Sequence, residues 1–220
     1  MSSDPHAGAA LIRLGAGPRG LVLAHGRGAS ARDLLGLGQA IAPADTAMIA
    51  PEATGNSWWP VSFLAPMAQL QPWLDSALAA MDRAVGALRA EGLAQSQIAL
   101  AGFSQGACLA LEYAARMGGP WAGVVALSGG LVGQADDGTA PDPELYGHAP
   151  KRLEYATRLE GVPVLLACHD RDPHIPAARV RASAQTLEAM GARVETRLHQ
   201  GAGHGPAPGD LEAAQALLRA

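Results

Sequence analysis

Residues 98–115 read I-A-L-A-G-F-S-Q-G-A-C-L-A-L-E-Y-A-A, and the way this stretch joins two elements decides the fold. An apolar run typical of a buried strand (97–101) leads into Gly102-Phe103-Ser104-Gln105-Gly106, and a run with helical spacing follows. Glycines on both sides of the serine let a strand and a helix pass closely, because they carry no Cβ atom. The pattern predicts a strained turn that lifts Ser104 Oγ above the sheet edge. The alternative is a glycine-rich turn in which Ser104 only caps the helix.

Short β-type runs alternate with helix-type runs on both sides of this turn. The predicted strands are 20–25, 46–50, 97–101, 121–127, 162–168 and 192–198. The predicted helices are 30–41, 70–88, 105–117, 177–190 and 210–219. This alternation predicts an α/β fold with a mostly parallel central sheet and helices on both of its faces. Together with the serine turn between strand and helix, it favours a fold of the α/β-hydrolase type.

The length of the chain, 220 residues, fits one domain covering 1–220. Residues 1–8 are polar, and we expect them to form a flexible N-terminus. Residues 129–160 interrupt the alternation and are more polar than the neighbouring runs. We expect this segment, called the excursion below, to cross the carboxyl edge of the sheet.

The composition excludes several classes of function. A net charge of -4 and a single lysine, Lys151, argue against nucleic acid as a partner, because phosphate binding needs a basic face. No apolar run approaches the ~20 residues of a membrane span, and no signal peptide is apparent, so we expect a cytoplasmic protein without stable membrane insertion. Cys108 and Cys168 lack metal-ligand spacing and are interpreted as core residues in a reducing compartment.

A serine nucleophile needs a base, and the base needs an acid that orients it. In this fold the chain order is serine, acid, histidine, with each residue just beyond the end of a strand. Asp172 follows the strand at 162–168, and His204 follows the strand at 192–198. The sequence therefore predicts a catalytic triad of Ser104, Asp172 and His204.

Other acidic and histidine residues compete for these roles. Asp170 could be the acid, and His199 could be the base, since each lies closer to its strand. His25, His169 and His174, together with the two aspartates, would allow a metal site, but their spacing fits no metal-ligand pattern, so none is predicted. We expect His25 to make a structural hydrogen bond below the site. His174 could line the rim of the pocket or be an ordinary loop residue.

The stabilisation of a tetrahedral oxyanion requires two backbone N–H donors. One is expected from the residue after the nucleophile, Gln105, and the other from the loop His25–Gly28, which follows the strand at 20–25. The alternative for this loop is a simple glycine turn. Trp58, Trp59 and Phe63 lie in a loop after another strand, where they could bind the acyl or aromatic part of a substrate. Equally, they could anchor that loop to the core.

The segments H-G-R-G-A-S, G-F-S-Q-G-A, D-P-H-I-P and G-A-G-H together resemble the phospholipase/carboxylesterase family of α/β-hydrolases, which includes bacterial carboxylesterases and acyl-protein thioesterases and is related to dienelactone hydrolases. The resemblance runs from about residue 20 to the C-terminus. It implies the same triad, oxyanion amides at Arg27 and Gln105, and no cofactor. The family commonly has glycine where His169 stands, and the excursion looks longer than a minimal connection. Dienelactone hydrolases use cysteine where this chain has Ser104.

These observations predict a serine hydrolase that cleaves a small-molecule carboxylic ester or thioester through an acyl-enzyme. The alternative from another class is a non-catalytic protein that retains the fold and binds a small molecule. A homodimer is possible, although no stretch of the sequence requires one.

Overall fold

The computed structural model describes residues 4–219. In chain order the strands are β1 (Leu11–Leu14), β2 (Arg19–Ala24), β3 (Thr46–Pro51), β4 (Ile98–Phe103), β5 (Gly123–Leu127), β6 (Ala135–Asp136), β7 (Lys151–Arg152), β8 (Pro163–His169) and β9 (Arg193–His199). The α-helices are α1 (Ala31–Ile41), α2 (Met67–Leu70), α3 (Trp73–Ala90), α4 (Gln105–Met117), α5 (Ala177–Ala189) and α6 (Asp210–Arg219). Short 3₁₀ helices cover Thr54–Asn56, Gln95–Gln97 and Pro143–Leu145.

Within residues 4–219 the central sheet has seven strands in the order β1-β3-β2-β4-β5-β8-β9. Strand β1 is antiparallel to β3, and every other neighbouring pair in this sheet is parallel. Strands β6 and β7 form a separate antiparallel ribbon inside the excursion. The prediction of a mostly parallel sheet is therefore confirmed. The sequence analysis missed β1, which is a four-residue edge strand that is never fully buried.

Helices cover both faces of the sheet, as predicted. In β2, Val22 faces the core shared with α3, α4 and α5, whereas Leu21 and Leu23 face the core shared with α1 and α6. Alternate residues of a strand point to opposite faces, so a strand covered on both sides must be apolar throughout. This explains why β2 reads as an uninterrupted apolar run. No helix in the described part of the chain has the length and apolarity that a membrane crossing requires.

The N-terminal segment differs from the expectation of flexibility. Residues 1–3 lie outside the described residues, but His6 is fully buried, so the expectation is wrong for this residue. Its Nε2–H donates to the carbonyl oxygen of Trp58 at 3.0 Å, and its Nδ1 accepts from the amide of Thr54 at 3.1 Å. A neutral imidazole has one donor and one acceptor, and the loop between β3 and α2 uses both.

The excursion is held against α4 by a buried carboxylate. Glu112 is fully buried, and its Oε2 accepts hydrogen bonds from the amides of Val132 (2.9 Å) and Gly133 (3.1 Å). The hydroxyl of Tyr155 also donates to Oε2 at 2.7 Å, and Arg116 Nε donates to Oε1 at 2.7 Å. A buried carboxylate is tolerated when its acceptor positions are filled in this way.

The parallel strands bring the predicted catalytic residues to one edge. Strand β4 ends directly before Ser104, β8 ends three residues before Asp172, and β9 ends five residues before His204. Since the carboxyl ends of parallel strands lie at the same edge, the three loops that follow can meet there.

Candidate active site

Ser104 occupies a strained turn between β4 and α4. Its backbone has φ 54° and ψ -120°, a conformation that costs a residue with a Cβ atom about 1–3 kcal/mol. Its amide donates to the carbonyl oxygen of Leu127 at 2.9 Å, which ties the turn to β5. A Cβ atom on Gly106 would lie 1.9 Å from the carbonyl oxygen of Ala24, and one on Gly102 would lie 2.2 Å from that of Gly106. Both positions of the motif therefore require glycine.

The side chains of Ser104, His204 and Asp172 form a hydrogen-bonded chain. His204 Nε2 lies 2.8 Å from Ser104 Oγ, and His204 Nδ1 lies 2.8 Å from Asp172 Oδ2 and 3.0 Å from Oδ1. Because a carboxylate can only accept, it favours the tautomer with a proton on Nδ1. Nε2 is then free to accept the proton of the serine hydroxyl.

Asp172 is fully buried, yet its surroundings stabilise the ionised form. Burial alone opposes ionisation, but hydrogen bonds from the ring of His204 and from the amides of His174 and Ile175 outweigh it, so the pKa of Asp172 lies below its usual value. The two amides donate to Oδ1 at 2.8 and 3.1 Å. The carboxylate is consequently charged at neutral pH and fixed in orientation.

The competing residues lie apart from this chain of hydrogen bonds. His199 Nε2 bonds to Asp210 Oδ1 at 2.9 Å, and Asp170 Oδ1 accepts from the amide of Gly201 at 2.9 Å. The ring of His169 packs on Gly203, where an added Cβ would lie 2.7 Å from it. His169 thus borders the loop that carries His204. Within residues 4–219 no group of three or more His, Cys, Asp or Glu side chains is arranged to hold a metal ion.

Next to Ser104 lies a cavity of about 440 Å³. It is lined by Gly26, Arg27, Ala29, Trp59, Ser62, Phe63, Phe103, Ser104, Gln105, Cys108, His174, Ile175 and His204. Aromatic and aliphatic side chains form much of its wall, which suits an apolar group. The exposed His174 stands at its rim, with its ring 4.8 Å from that of His204 in an edge-on arrangement.

Two of the three aromatic residues named from the sequence, Trp59 and Phe63, lie in the cavity wall. Trp58 does not. It is fully buried behind the wall, and its Nε1–H donates to the carbonyl oxygen of His25 at 2.8 Å. The prediction of a substrate-binding role is therefore corrected for Trp58, which anchors the loop. His25 makes structural hydrogen bonds as expected, accepting from the amide of Ala53 at 3.0 Å.

Arg27 and Gln105, the two residues predicted to supply oxyanion amides, both line the cavity that Ser104 lines. The amide of Gln105 is the first of α4 and has no intrahelical acceptor, so it is available to a ligand. The amide of Arg27 has no hydrogen-bond acceptor in the part of the chain that the structure describes. Two free amides on residues that line the same cavity as the serine are what an oxyanion would need.

The side chain of Gln105 joins the turn around Ser104, called the nucleophile turn below, to the loop between β3 and α2 that carries Trp58, Trp59 and Phe63, called the aromatic loop below. The sequence did not predict this role. Its Oε1 accepts from the amide of Trp58 at 2.8 Å, and its Nε2 donates to the carbonyl oxygen of Trp59 at 2.9 Å. These bonds span nearly fifty positions in the chain, and no local pattern signals such a contact.

Comparison with known proteins identifies the family of the chain. Residues 18–220 match the phospholipase/carboxylesterase family. The chain belongs to that family. A phospholipase/carboxylesterase from Dyadobacter fermentans is 33% identical, over 96% of this chain and 97% of that one, with a TM-score of 0.84. The family resemblance found in the sequence is thereby confirmed.

Two further solved structures are similar. Esterase PE8 is 28% identical over 96% of this chain and 98% of its own, with a TM-score of 0.72. A Bacillus cereus carboxylesterase is 18% identical, covers 97% of this chain and 94% of its own, and has a TM-score of 0.72. At that identity the likeness shows the fold alone. A search of curated proteins finds no match. The family and its esterase structures indicate that the protein is a hydrolase of the esterase type.

Proposed function

We propose that this protein hydrolyses carboxylic esters, or thioesters, of small molecules through an acyl-enzyme formed on Ser104. The observation that carries the proposal is the unbroken chain of hydrogen bonds from Ser104 Oγ through His204 to Asp172, with 2.8 Å at each step. The apolar wall beside the serine supports an acyl group as the part of the substrate that is bound.

The first half of the reaction is acylation. His204 Nε2 takes the proton of Ser104 while Oγ attacks the substrate carbonyl. The amides of Arg27 and Gln105 donate to the developing oxyanion, and Asp172 stabilises the imidazolium. The protonated His204 then gives its proton to the leaving alkoxide or thiolate, which departs as the alcohol or thiol.

The second half is deacylation. Water gives a proton to His204 as its oxygen attacks the acyl carbonyl, and the second oxyanion occupies the same two amides. Collapse of this intermediate returns the proton to Ser104 Oγ and releases the carboxylic acid. Every proton is accounted for without a cofactor, in keeping with what the family resemblance implies.

The test is hydrolysis of p-nitrophenyl esters from short to long acyl chains by the wild type and by Ser104→Ala. The substitution should lower kcat by roughly 10⁴–10⁶. Ser128→Ala is a matched control, because Ser128 also has a φ of 54° and is fully buried directly after β5, but its hydroxyl has no hydrogen-bond partner among the described residues. Turnover that survives in Ser104→Ala would contradict the proposal.

Covalent labelling separates the proposal from the alternative of a binding protein. A fluorophosphonate should label Ser104 in the wild type, because only an activated hydroxyl attacks the phosphorus. Absence of labelling together with retained ligand binding would favour the binding protein. Hydrolysis of thioesters, followed by release of the thiol, would show which leaving group is preferred. The cytoplasmic location and the homodimer stay predictions from the sequence.

A further inference from the structure

Three side-chain donors converge on one backbone carbonyl in the wall of the cavity. The carbonyl oxygen of Trp59 accepts from Gln105 Nε2 at 2.9 Å, from Arg27 Nη2 at 3.2 Å and from Ser57 Oγ at 2.8 Å. Most carbonyl oxygens accept one or two hydrogen bonds, since they have two lone pairs. Two of these donors belong to Arg27 and Gln105, the residues whose amides are proposed above to bind the oxyanion.

Each of these two residues holds the aromatic loop at a second point. Gln105 Oε1 accepts from the amide of Trp58 at 2.8 Å, so the side-chain amide binds the backbone of two consecutive residues, Trp58 and Trp59. Arg27 Nη2 also donates to the carbonyl oxygen of Val61, beyond Trp59. The loop is thereby fixed to the two segments that supply the oxyanion amides, although all three are distant in the sequence.

We propose that the side chains of Arg27 and Gln105 are positioning residues, which set the two oxyanion amides relative to Trp59 through its carbonyl group. The proposal rests on the function proposed above. Trp59 lines the cavity, so an acyl group that packs against it contacts the same residue that both side chains hold. The fit of the acyl group is therefore communicated to the oxyanion site.

The physical reason for a kinetic effect is the distance dependence of oxyanion stabilisation. Donors act when they lie about 2.7–3.1 Å from the place that the oxyanion will occupy, and small displacements are costly. A backbone amide can change its position only if the chain segment that carries it moves. Arg27 lies in an exposed turn, and without its bonds to the loop nothing in the described structure fixes its guanidinium.

The proposal predicts a specific division between the kinetic constants. Arg27→Met and Gln105→Met keep both backbone amides but remove the side-chain bonds to Trp59. Each should lower kcat about 10-fold to 100-fold on the best p-nitrophenyl ester and change KM little. The reason is that the oxyanion is absent from the enzyme–substrate complex and forms only as the serine attacks. Arg27→Lys keeps one donor and should recover part of the loss.

The double variant tests the shared carbonyl. If both side chains act through Trp59, the second substitution adds little to the first, and the combined loss falls well below the product of the two. In the wild type kcat should vary with acyl length, and this variation should shrink in the double variant. Independent roles would instead give a product of the two losses and an unchanged acyl profile.

Matched controls exist on the same chain. Gln97 also uses both ends of its amide, accepting from Ala94 at 2.9 Å and donating to the carbonyl oxygen of Pro18 at 3.0 Å. Arg158 Nη1 donates to the carbonyl oxygen of Ala189 at 2.9 Å. Both residues lie away from the cavity, so Gln97→Met and Arg158→Met should leave kcat within about two-fold of the wild type. These variants show how much activity is lost when a side-chain hydrogen bond to the backbone is removed elsewhere in the protein.

The outcomes are distinct. A loss confined to KM, multiplicative losses, or equal losses in the controls would overturn the positioning role. Melting temperatures of all variants show whether a loss comes from unfolding, and in that event Arg27→Lys, the milder change, decides between the outcomes. A wild type that is neither labelled by a fluorophosphonate nor active on any ester would refute the proposed function instead, which is a separate result.

Discussion

The substitution Gly106→Ala tests the geometry of the nucleophile turn. An added Cβ would lie 1.9 Å from the carbonyl oxygen of Ala24, whereas ordinary contacts begin at 3.4 Å. The atom it meets is backbone at the end of a central strand, so no rotamer change relieves the contact. Helix α4 must therefore move away from β2 by about 1.5 Å, and Ser104 moves with the helix start.

The magnitude follows from this displacement. A misplacement of about 1 Å at a reacting group costs about 10² in rate, so kcat/KM should fall at least 100-fold. Overpacking of this kind also destabilises a protein by about 1–3 kcal/mol. The assay is ester hydrolysis under conditions in which circular dichroism shows the variant to be folded, with urea titration for the free energy of unfolding.

The control is Gly86→Ala in α3, where an added Cβ meets no atom within 4 Å. In a helix interior this change should stabilise the protein by about 0.5–1 kcal/mol and leave kcat/KM unaltered. A folded Gly106→Ala variant with kcat/KM within a few-fold of the wild type would refute the reasoning, because it would show that catalysis tolerates the displacement of α4 from β2.

Three further predictions concern burial. Burial lowers the pKa of His6 and of His25, so below about pH 6.5 the unfolded chain binds protons that the folded chain does not. The free energy of unfolding should therefore fall as the pH drops below about 6.5, which urea titrations at about pH 7 and pH 5 would show. An unchanged value would contradict neutral imidazoles at these positions. Burial raises the pKa of Cys108 to about 12, so iodoacetamide at about pH 8 should alkylate it only in urea, as mass spectrometry can establish. Trp58→Phe should lower stability by about 1–3 kcal/mol and leave the acyl-length profile unchanged, whereas Trp59→Phe should alter the profile; the reverse pattern would contradict their placement.

Much of the sheet could be predicted because each buried strand is a short apolar run and each helix has an apolar face. The location of Ser104, Asp172 and His204 at strand ends also follows from the order of elements, since parallel strands end at one edge. These inferences depend on local patterns and one topological rule. The edge strand β1 escaped them because its four residues are half-exposed and show no extended pattern.

Contacts between distant segments could not be predicted. Whether Trp58 or Trp59 faces the cavity depends on the path of an irregular loop, and that path is set by His6, His25 and Gln105 through hydrogen bonds. The sequence around Gln105 does not indicate whether its side chain points to solvent or to a distant loop. Burial of a histidine near the N-terminus likewise leaves no periodic signal.

The saturation of Glu112 has a consequence for how the site could be reshaped. The excursion is bound to α4 through that carboxylate, to Phe63 through Lys151 Nζ at 3.0 Å, and to Asp172 through the hydroxyl of Tyr146. None of the residues that line the cavity belongs to the excursion, which is fixed at these three points behind them, so the size of an accepted substrate depends on the volume of the lining side chains rather than on the length of this segment. An engineer who wants room for a bulkier ester would therefore shorten side chains such as Phe63. Lengthening the excursion would enlarge the surface of the protein and leave the cavity as it is.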